Sequence, residues 1–325
     1  MSSTDLKIGP HLLGIRGLSR EQVEFILATA AQFVEVSERP IKRVPTLRGK
    51  TVVNLFLEAS TRTRTSFEIA AKRLSADAVN IGAKDSSVTK GETLLDTVWT
   101  LQAMAPDVIV MRHPSSGAAH FIAQHLTRSA VVNAGDGLHE HPTQALLDAL
   151  TIKQKLGKLT GLKIVLVGDV FRGRVARSNI FLHTLLGNEV RAVAPPTFIP
   201  PDLAQLGVKL YHDLPSALDG ADVVMSLRIK TEYLQDAFIP STDEYCRRFC
   251  ITEPILAKYA PESIVLAPGP FNRGIEMSSE VVDGPRSQIS KQVNYGVAVR
   301  MAVIYLLAIR QGAMNLSEHL KEHSA

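Results

Sequence analysis

Short apolar runs alternate with stretches of helical period along most of the chain. "TVVNLFL" (51–57), "AVNIG" (78–82), "DVIVMR" (107–112) and "AVVNA" (130–134) predict short buried strands. Between them, Phe67, Ala70, Ala71 and Leu74 fall on one face of a helix that follows Ser66, and "GETLLDTVWTLQAM" supplies another helix. A long helix is predicted from "HPTQALLDALTIKQKLG", with Pro142 suited to its first position and an end near Gly157. After the turn "KLTGL" the pattern restarts with "KIVLVGD" (163–169), "EVRAVAP" (189–195), "DVVMSLR" (222–228) and "SIVLAPGP" (263–270). An amphipathic helix, "VAVRMAVIYLLAIRQ", comes last.

Repeated strand–helix units of this kind build parallel sheets covered by helices. The fold class expected is α/β, with two domains that are each a parallel sheet flanked by helices. The expected division is residues 1–152 and 153–292, hinged near 153–161, with a C-terminal helix (293–325) packing back on the first domain. No low-complexity segment or internal repeat interrupts the pattern.

Composition narrows the function. The 325 residues suffice for two domains with large cores, and 45% hydrophobic with 21% charged residues is ordinary for a globular protein. No apolar run approaches the roughly 18 residues of a membrane span, so no membrane segment is expected. "MSSTDLKIGPHLLGIRGL" lacks the charged-then-apolar layout of a secretory signal. The net charge of +4 is mild and its basic residues are scattered, which suits a small anion better than nucleic acid. The two cysteines, Cys246 and Cys250 in "YCRRFC", have no second pair with which to hold a metal. They are read as structural, and the chain as cytoplasmic and free of disulfides.

The candidate chemistry lies in "FLEASTRTRTSFEIAAKRL" (56–74). Ser60, Thr61, Arg62, Thr63 and Arg64 stand between a strand and a helix, where ligands of open parallel sheets bind. A helix N-terminus offers unpaired amides and partial positive charge, the hydroxyls add donors, and Arg62 can grip two phosphate oxygens. The plainer reading, an N-cap serine beside solvated arginines, needs only one hydroxyl. Arg112 ends "DVIVMR", His141 and Gln144 lie in "HEHPTQ", Arg174 follows "KIVLVGD", Arg228 ends "DVVMSLR", and Pro268, Gly269 and Pro270 follow "SIVLA". Cations at the strand ends of two domains predict a cleft for a polyanion. "GDVFRGRVARS" lacks the three-glycine dinucleotide fingerprint, so NAD is not expected.

"STRTRTSFE", "SSVTKGETLLDT", "GDGLHEHPTQALLDALTI", "GRVARSN" and "QVNYGVAVRMAVIYLL" resemble the motifs of aspartate carbamoyltransferase catalytic chains, from about residue 10 to residue 312. "STRTR" marks carbamoyltransferases in general, while "HPTQ" with "SSVTKGETL" resembles the aspartate branch. The HPCQ and late S-M-G motifs of ornithine enzymes are absent. The resemblance implies transfer of a carbamoyl group from carbamoyl phosphate to the amine of L-aspartate, in pyrimidine synthesis, without metal or organic cofactor. It implies that Ser60, Thr61, Arg62 and Thr63 hold the phosphate, and that Thr63, Arg112 and His141 polarise the carbamoyl oxygen. It assigns the carbamoyl amide to Gln144 and the backbone of Pro268, Gly269 and Pro270, and the aspartate carboxylates to Arg174 and Arg228. It further implies a homotrimer in which Ser86 and Lys90 reach a neighbouring subunit's site. Domain closure would then expel water from the hydrolysable donor. "GLSREQVEFILATAAQFVEV" and "IKRVPTLRGKTV" are similar to chains that assemble with dihydroorotase or a related protein.

Three positions depart from the family pattern. Arg228-Ile229-Lys230 stands for Arg-x-Gln, Ala267-Pro268-Gly269-Pro270 for His-Pro-Gly-Pro, and Arg172-Gly173 for His-Ser. Lys230 only donates hydrogen bonds where glutamine also accepts, and it is expected to touch aspartate. These changes leave two alternatives open: a carbamoyltransferase for another amine, and a non-catalytic homologue serving as a structural or regulatory subunit.

Overall fold

The computed structural model of the protein describes residues 8–83, 91–229 and 239–322, with side chains as far as residue 310. Ser86, Lys90 and Lys230 lie outside the described residues. The chain divides into two compact units, Met1–Leu146 with Asn294–Ala325, and Leu147–Val293.

The first unit is built on a four-stranded parallel sheet in the order β2-β1-β3-β4, with β1 Thr51–Phe56, β2 Asp77–Gly82, β3 Val108–His113 and β4 Ala130–Asp136. β1 and β3, the central strands, and β4, at one edge, are almost wholly buried, in keeping with their Val/Ile-rich runs. β2, expected as buried, is instead an edge strand and largely exposed, and Val79 keeps 46% of its surface. β4 is an edge strand too, but Leu12 N donates to Val131 O and Asn133 N to Leu12 O along its free side, so cover by another segment separates the two edges. The helices are α1 (Arg20–Glu38), α2 (Thr61–Arg73), α3 (Leu94–Ala103) and α4 (Ala118–Ala123), then α5 (Pro142–Leu156), which runs on into the second unit. α1 opens on a capping box in which the Ser19 hydroxyl accepts from Gln22 N and the Gln22 side chain accepts from Ser19 N. One face of the sheet is sealed by Val98 and Leu101 of α3 and Ala118, Ala119 and Ile122 of α4 against Val53, Leu55, Ile109 and Met111.

The second unit carries a five-stranded parallel sheet in the order β7-β6-β5-β8-β9. Its strands are β5 Lys163–Val167, β6 Glu189–Val193, β7 Val208–Tyr211, β8 Val223–Ser226 and β9 Ile264–Leu266. The two-residue side-chain period splits each central strand between two cores. Val165, Val167, Val224 and Val265 face Leu218, Tyr245, Phe249 and Leu256. Ile164, Leu166, Val223 and Met225 face Ala176 and Ile180 of α6 (Arg174–Leu185). Among the described residues the unit also carries the short α-helices α7 (Leu214–Leu218), α8 (Thr242–Phe249), α9 (Glu253–Tyr259) and α10 (Ser279–Asp283).

The final helix, α11, spans Ile289–Glu322. Its Ile289–Arg310 portion is long and apolar enough to cross a membrane by length and composition, where the sequence reading expected no such segment. Its most apolar window is 67% buried within the fold. Arg300 bonds the Ser66 hydroxyl at 2.8 Å and lies over the Phe67 ring at 5.1 Å, the environment of a core helix.

Candidate active site

All four strands of the first sheet are parallel, so their carboxyl ends share one edge. There β1 leads into α2, whose N-cap is Ser60 in an extended conformation. Ser60 sits where a capping serine belongs, yet its side chain makes no capping hydrogen bond. The first turn of α2 contains no acid and two arginines, Arg62 and Arg64. A cation beside the positive end of a helix dipole costs about 0.3–1 kcal/mol. That arrangement is unfavourable for the free helix and favourable for a bound anion. Thr61 and Arg62 are exposed and Thr63 is buried, so the turn presents donors both outward and inward.

Arg112, near the end of β3, is buried; its Nη1 donates to Ala134 O at 3.1 Å and its Nη2 to Glu58 Oε1 at 2.6 Å. Register places Arg112 beside Phe56, and Leu57 N donates to Arg112 O. The arginine is therefore fixed at the strand end that delivers Ser60–Thr63. Glu58, absent from the sequence reading, could have been suspected as the one acid between β1 and the polar cluster. Burial holds the next residue, His113, below the ordinary imidazole pKa.

His141 and Gln144 are buried at the start of α5, where His141 O accepts from Gln144 N at 2.9 Å. They are positioned by the preceding loop, which pivots on two buried carboxylates. Asp136 accepts from Asn133 Nδ2, Gly117 N and Glu140 N. Glu140 accepts from Ile15 N at 2.7 Å and Arg16 N at 3.3 Å, tying the histidine's neighbour to the N-terminal segment. Ser60, Thr61, Arg62, Thr63, Arg112, His141 and Gln144 thus all belong to the carboxyl edge of one sheet.

In the second unit, Arg174 is the first residue of α6, Arg228 follows β8, and Pro268, Gly269 and Pro270 follow β9. β5, β8 and β9 are consecutive neighbours, so these groups also share an edge. Glu276, another residue the sequence reading missed, is buried and accepts from Ile229 N at 2.8 Å and from Asn272 N at 2.5 Å. It pins the residue after Arg228 to the segment after Pro270. The backbone of Ala267 donates to Gln292 Oε1 at 2.9 Å, and Gln292 Nε2 donates to Asp148 Oδ1 at 2.7 Å. The Ala267 methyl lies within the apolar core of this unit. Arg172 is also buried, its backbone and guanidinium both directed at Asp169 (3.0 and 3.4 Å). At Gly173 a Cβ would stand 2.7 Å from Asp169 O, so this close turn excludes the serine of the family pattern without a backbone shift.

Two parallel-sheet units, each presenting arginines at the carboxyl ends of its strands, define a protein for small anionic ligands. Comparison with known proteins gives this class its family. Residues 10–154 match the carbamoyl-phosphate-binding domain of aspartate/ornithine carbamoyltransferases, and residues 160–307 match the aspartate/ornithine-binding domain. The chain belongs to the aspartate/ornithine carbamoyltransferase family. It is 56% identical over 298 residues to the aspartate carbamoyltransferase catalytic subunit of Sorangium cellulosum (strain So ce56), covering 92% of each chain. It is 54% identical to that of Syntrophotalea carbinolica (strain DSM 2380 / NBRC 103641 / GraBd1), covering 92% of this chain and 95% of the other. Among solved structures, Trypanosoma cruzi aspartate transcarbamoylase in complex with N-(phosphonacetyl)-L-aspartic acid matches with TM-score 0.82 and 32% identity, covering 92% and 96% of the two chains. Ornithine carbamoyltransferase from Pyrococcus furiosus matches with TM-score 0.81 and 30% identity, covering 91% and 96%.

Proposed function

We propose that this chain transfers the carbamoyl group of carbamoyl phosphate to the amino group of L-aspartate, giving N-carbamoyl-L-aspartate and phosphate. The observation that carries the reading is the first turn of α2, with two arginines, no acid and an N-cap serine that makes no capping bond, at the same sheet edge as buried Arg112 and His141. The fold alone does not choose the acceptor, since aspartate and ornithine enzymes match it about equally well. Relatives at 54–56% identity named as aspartate enzymes, together with "HPTQ", support aspartate.

In this reading Ser60, Thr61, Arg62 and Thr63 hold the phosphate, and Thr63, Arg112 and His141 donate to the carbamoyl oxygen. Gln144 and the backbone of Pro268, Gly269 and Pro270 hold the carbamoyl amide, while Arg174 and Arg228 bind the carboxylates of the acceptor. The deprotonated amine attacks the carbonyl carbon, and charge grows on the oxygen facing Arg112 and His141. The new C–N bond persists as the C–O bond to phosphate breaks, and the proton shed by the amine leaves with solvent or phosphate. The nucleophile belongs to the substrate, so the chain needs to position and neutralise rather than form a covalent intermediate.

The same reading makes the chain a cytoplasmic enzyme of pyrimidine synthesis acting as a homotrimer, with Ser86 and Lys90 serving a neighbour's site. Its assembly with dihydroorotase or a related chain rests on the N-terminal resemblance, and Lys230 is assigned to the acceptor side. The test is a carbamoylation assay of the purified chain with carbamoyl phosphate and a panel of amines including aspartate and ornithine, alongside sedimentation. Turnover with aspartate alone by a trimer is expected. Turnover with another amine would overturn the acceptor, and phosphate-analogue binding without turnover would make the chain a non-catalytic subunit.

A further inference from the structure

The loop that leads to His141 carries a second cluster that the transfer reaction does not use. His120 on α4 is exposed, His139 in the loop is half-buried, and Asp136 at the end of β4 is buried. One ligand atom from each lies within 4.8 Å of those of the other two. The two imidazoles meet edge-on, with ring centroids 5.4 Å apart. His139 Nδ1 stands 3.1 Å from Asp136 Oδ2. Metal–ligand bonds of about 2.1 Å put the ligands of a tetrahedral ion about 3.4 Å apart, so this pair needs to open by only about 0.3 Å. The remaining gap of roughly 1.4 Å falls to His120, whose side chain is exposed.

We propose that His120, Asp136 and His139 bind a borderline divalent cation of the zinc class. Two imidazoles with one carboxylate favour such an ion over Mg²⁺ or Ca²⁺, which take mainly oxygen ligands. The ion occupies the position between His139 Nδ1 and Asp136 Oδ2, and the ring proton of neutral His139 moves to Nε2. Asp136 is oriented for this role: Oδ2 accepts from Gly117 N at 2.7 Å and Oδ1 from Asn133 Nδ2 at 2.7 Å, the supporting contacts that metal-bound carboxylates keep. The backbone beneath is fixed as well. Gly137 N donates to His113 O and Leu138 N to the Ser116 hydroxyl, so the loop is stitched to the segment that opens α4. Water completes the coordination from the open side. A bound ion would clamp the loop to α4 two residues before His141, making it a structural or regulatory site rather than a participant in carbamoyl transfer. Metal binding by these three side chains does not depend on which reaction the chain catalyses.

The experiment is titration of the full, chelator-treated chain, free of any purification tag, with Zn²⁺ by calorimetry and with Co²⁺ by visible absorption. One equivalent per chain is expected, with a rise in unfolding temperature that grows with free metal. His120→Ala and His139→Ala should each weaken binding about 100-fold or more. His125→Ala, which removes a neighbouring histidine bonded to Phe121 O, should bind as the wild type does. Because His120 is exposed, its loss leaves the fold intact and a negative result interpretable. Absence of a stoichiometric site in the wild type would overturn the proposal, as would wild-type affinity in both the His120 and His139 variants.

Discussion

His183 ties the stability of the second unit to pH. It lies on α6, wholly buried, and its pKa is held down at about 4 by desolvation. Asn188 Nδ2 donates both to Leu159 O at 2.9 Å and to His183 Nδ1 at 3.0 Å, while Asn188 Oδ1 accepts from Leu162 N. The Asn188 amide is thereby oriented with its NH₂ toward the ring, so Nδ1 accepts and the single proton resides on Nε2. Nε2 has no partner among the described residues. A second proton on Nδ1 would confront a donor with a donor and place a charge in an apolar interior. The unfolded chain, with an ordinary histidine pKa near 6.5, binds that proton more tightly than the folded one. Stability therefore falls as pH drops from about 6.5 towards the folded value of about 4 and is unaffected by this group at higher pH. Linkage over that gap is about 2 kcal/mol at pH 5 and about 3 kcal/mol at pH 4, both relative to pH 7.5.

His183→Gln removes the titration while keeping an oxygen that can accept from Asn188. Hydrogen exchange of the β5 and β6 amides, measured at pH 7.5 and pH 5, reads the opening free energy of this unit alone. That choice matters because the single tryptophan, Trp99, reports on the other unit. Carboxylates lose stability in acid equally in both proteins, so the difference between wild type and variant isolates His183. The wild type should lose about 2 kcal/mol more than His183→Gln between the two pH values. Equal losses would refute the reasoning. So would an imidazole resonance of native His183 titrating near 6.5.

Three further outcomes follow from particular contacts. Arg112→Lys keeps the charge but loses the fork that spans Glu58 and Ala134 O; kcat for carbamoyl transfer should fall by about 100-fold, read in steady-state kinetics, with the unfolding temperature little changed. Gly168 has φ +120°, and a Cβ there would lie 2.4 Å from Leu227 O, a backbone atom. Gly168→Ala should therefore destabilise the second unit by at least about 2 kcal/mol in urea unfolding. Lys230→Gln should change the KM for aspartate more than that for carbamoyl phosphate, and an unchanged aspartate KM would exclude a direct contact.

Features carried by local chemistry could be read from the chain alone. β1, β3 and β5 announce themselves by dense β-branched runs, and "STRTR" by five polar side chains at a strand–helix junction. α2 begins at Thr61, so those residues form its first turn, ahead of the apolar face that starts at Phe67. Position within a sheet was not legible: β2 is as apolar as a core strand yet lies at the edge, and β7, also an edge strand and only four residues long, was not predicted. α1 was overlooked although its Ser19-x-x-Gln22 capping signature is explicit. The buried acids that hold the site escaped notice because their partners are distant in sequence. Glu140 meets the amide of Ile15 across 125 positions, Glu58 meets Arg112 across 54, and Glu276 meets Ile229 across 47.

One departure from the family pattern, Arg172-Gly173, is accounted for by contacts only three and four residues away. Folded, Arg172 turns inward to Asp169 and over the Phe198 ring, and Gly173 is required by the approach of Asp169 O. Arginine and glycine at these two positions therefore form a single packing solution: the buried guanidinium fixes Asp169, and Asp169 leaves no room for a side chain at 173. Ala267 likewise sits in an apolar core, with its amide held by Gln292. Arg172 meets its charge at Asp169, so of the three departures Lys230 is the one whose bearing on the acceptor the Lys230→Gln kinetics would decide.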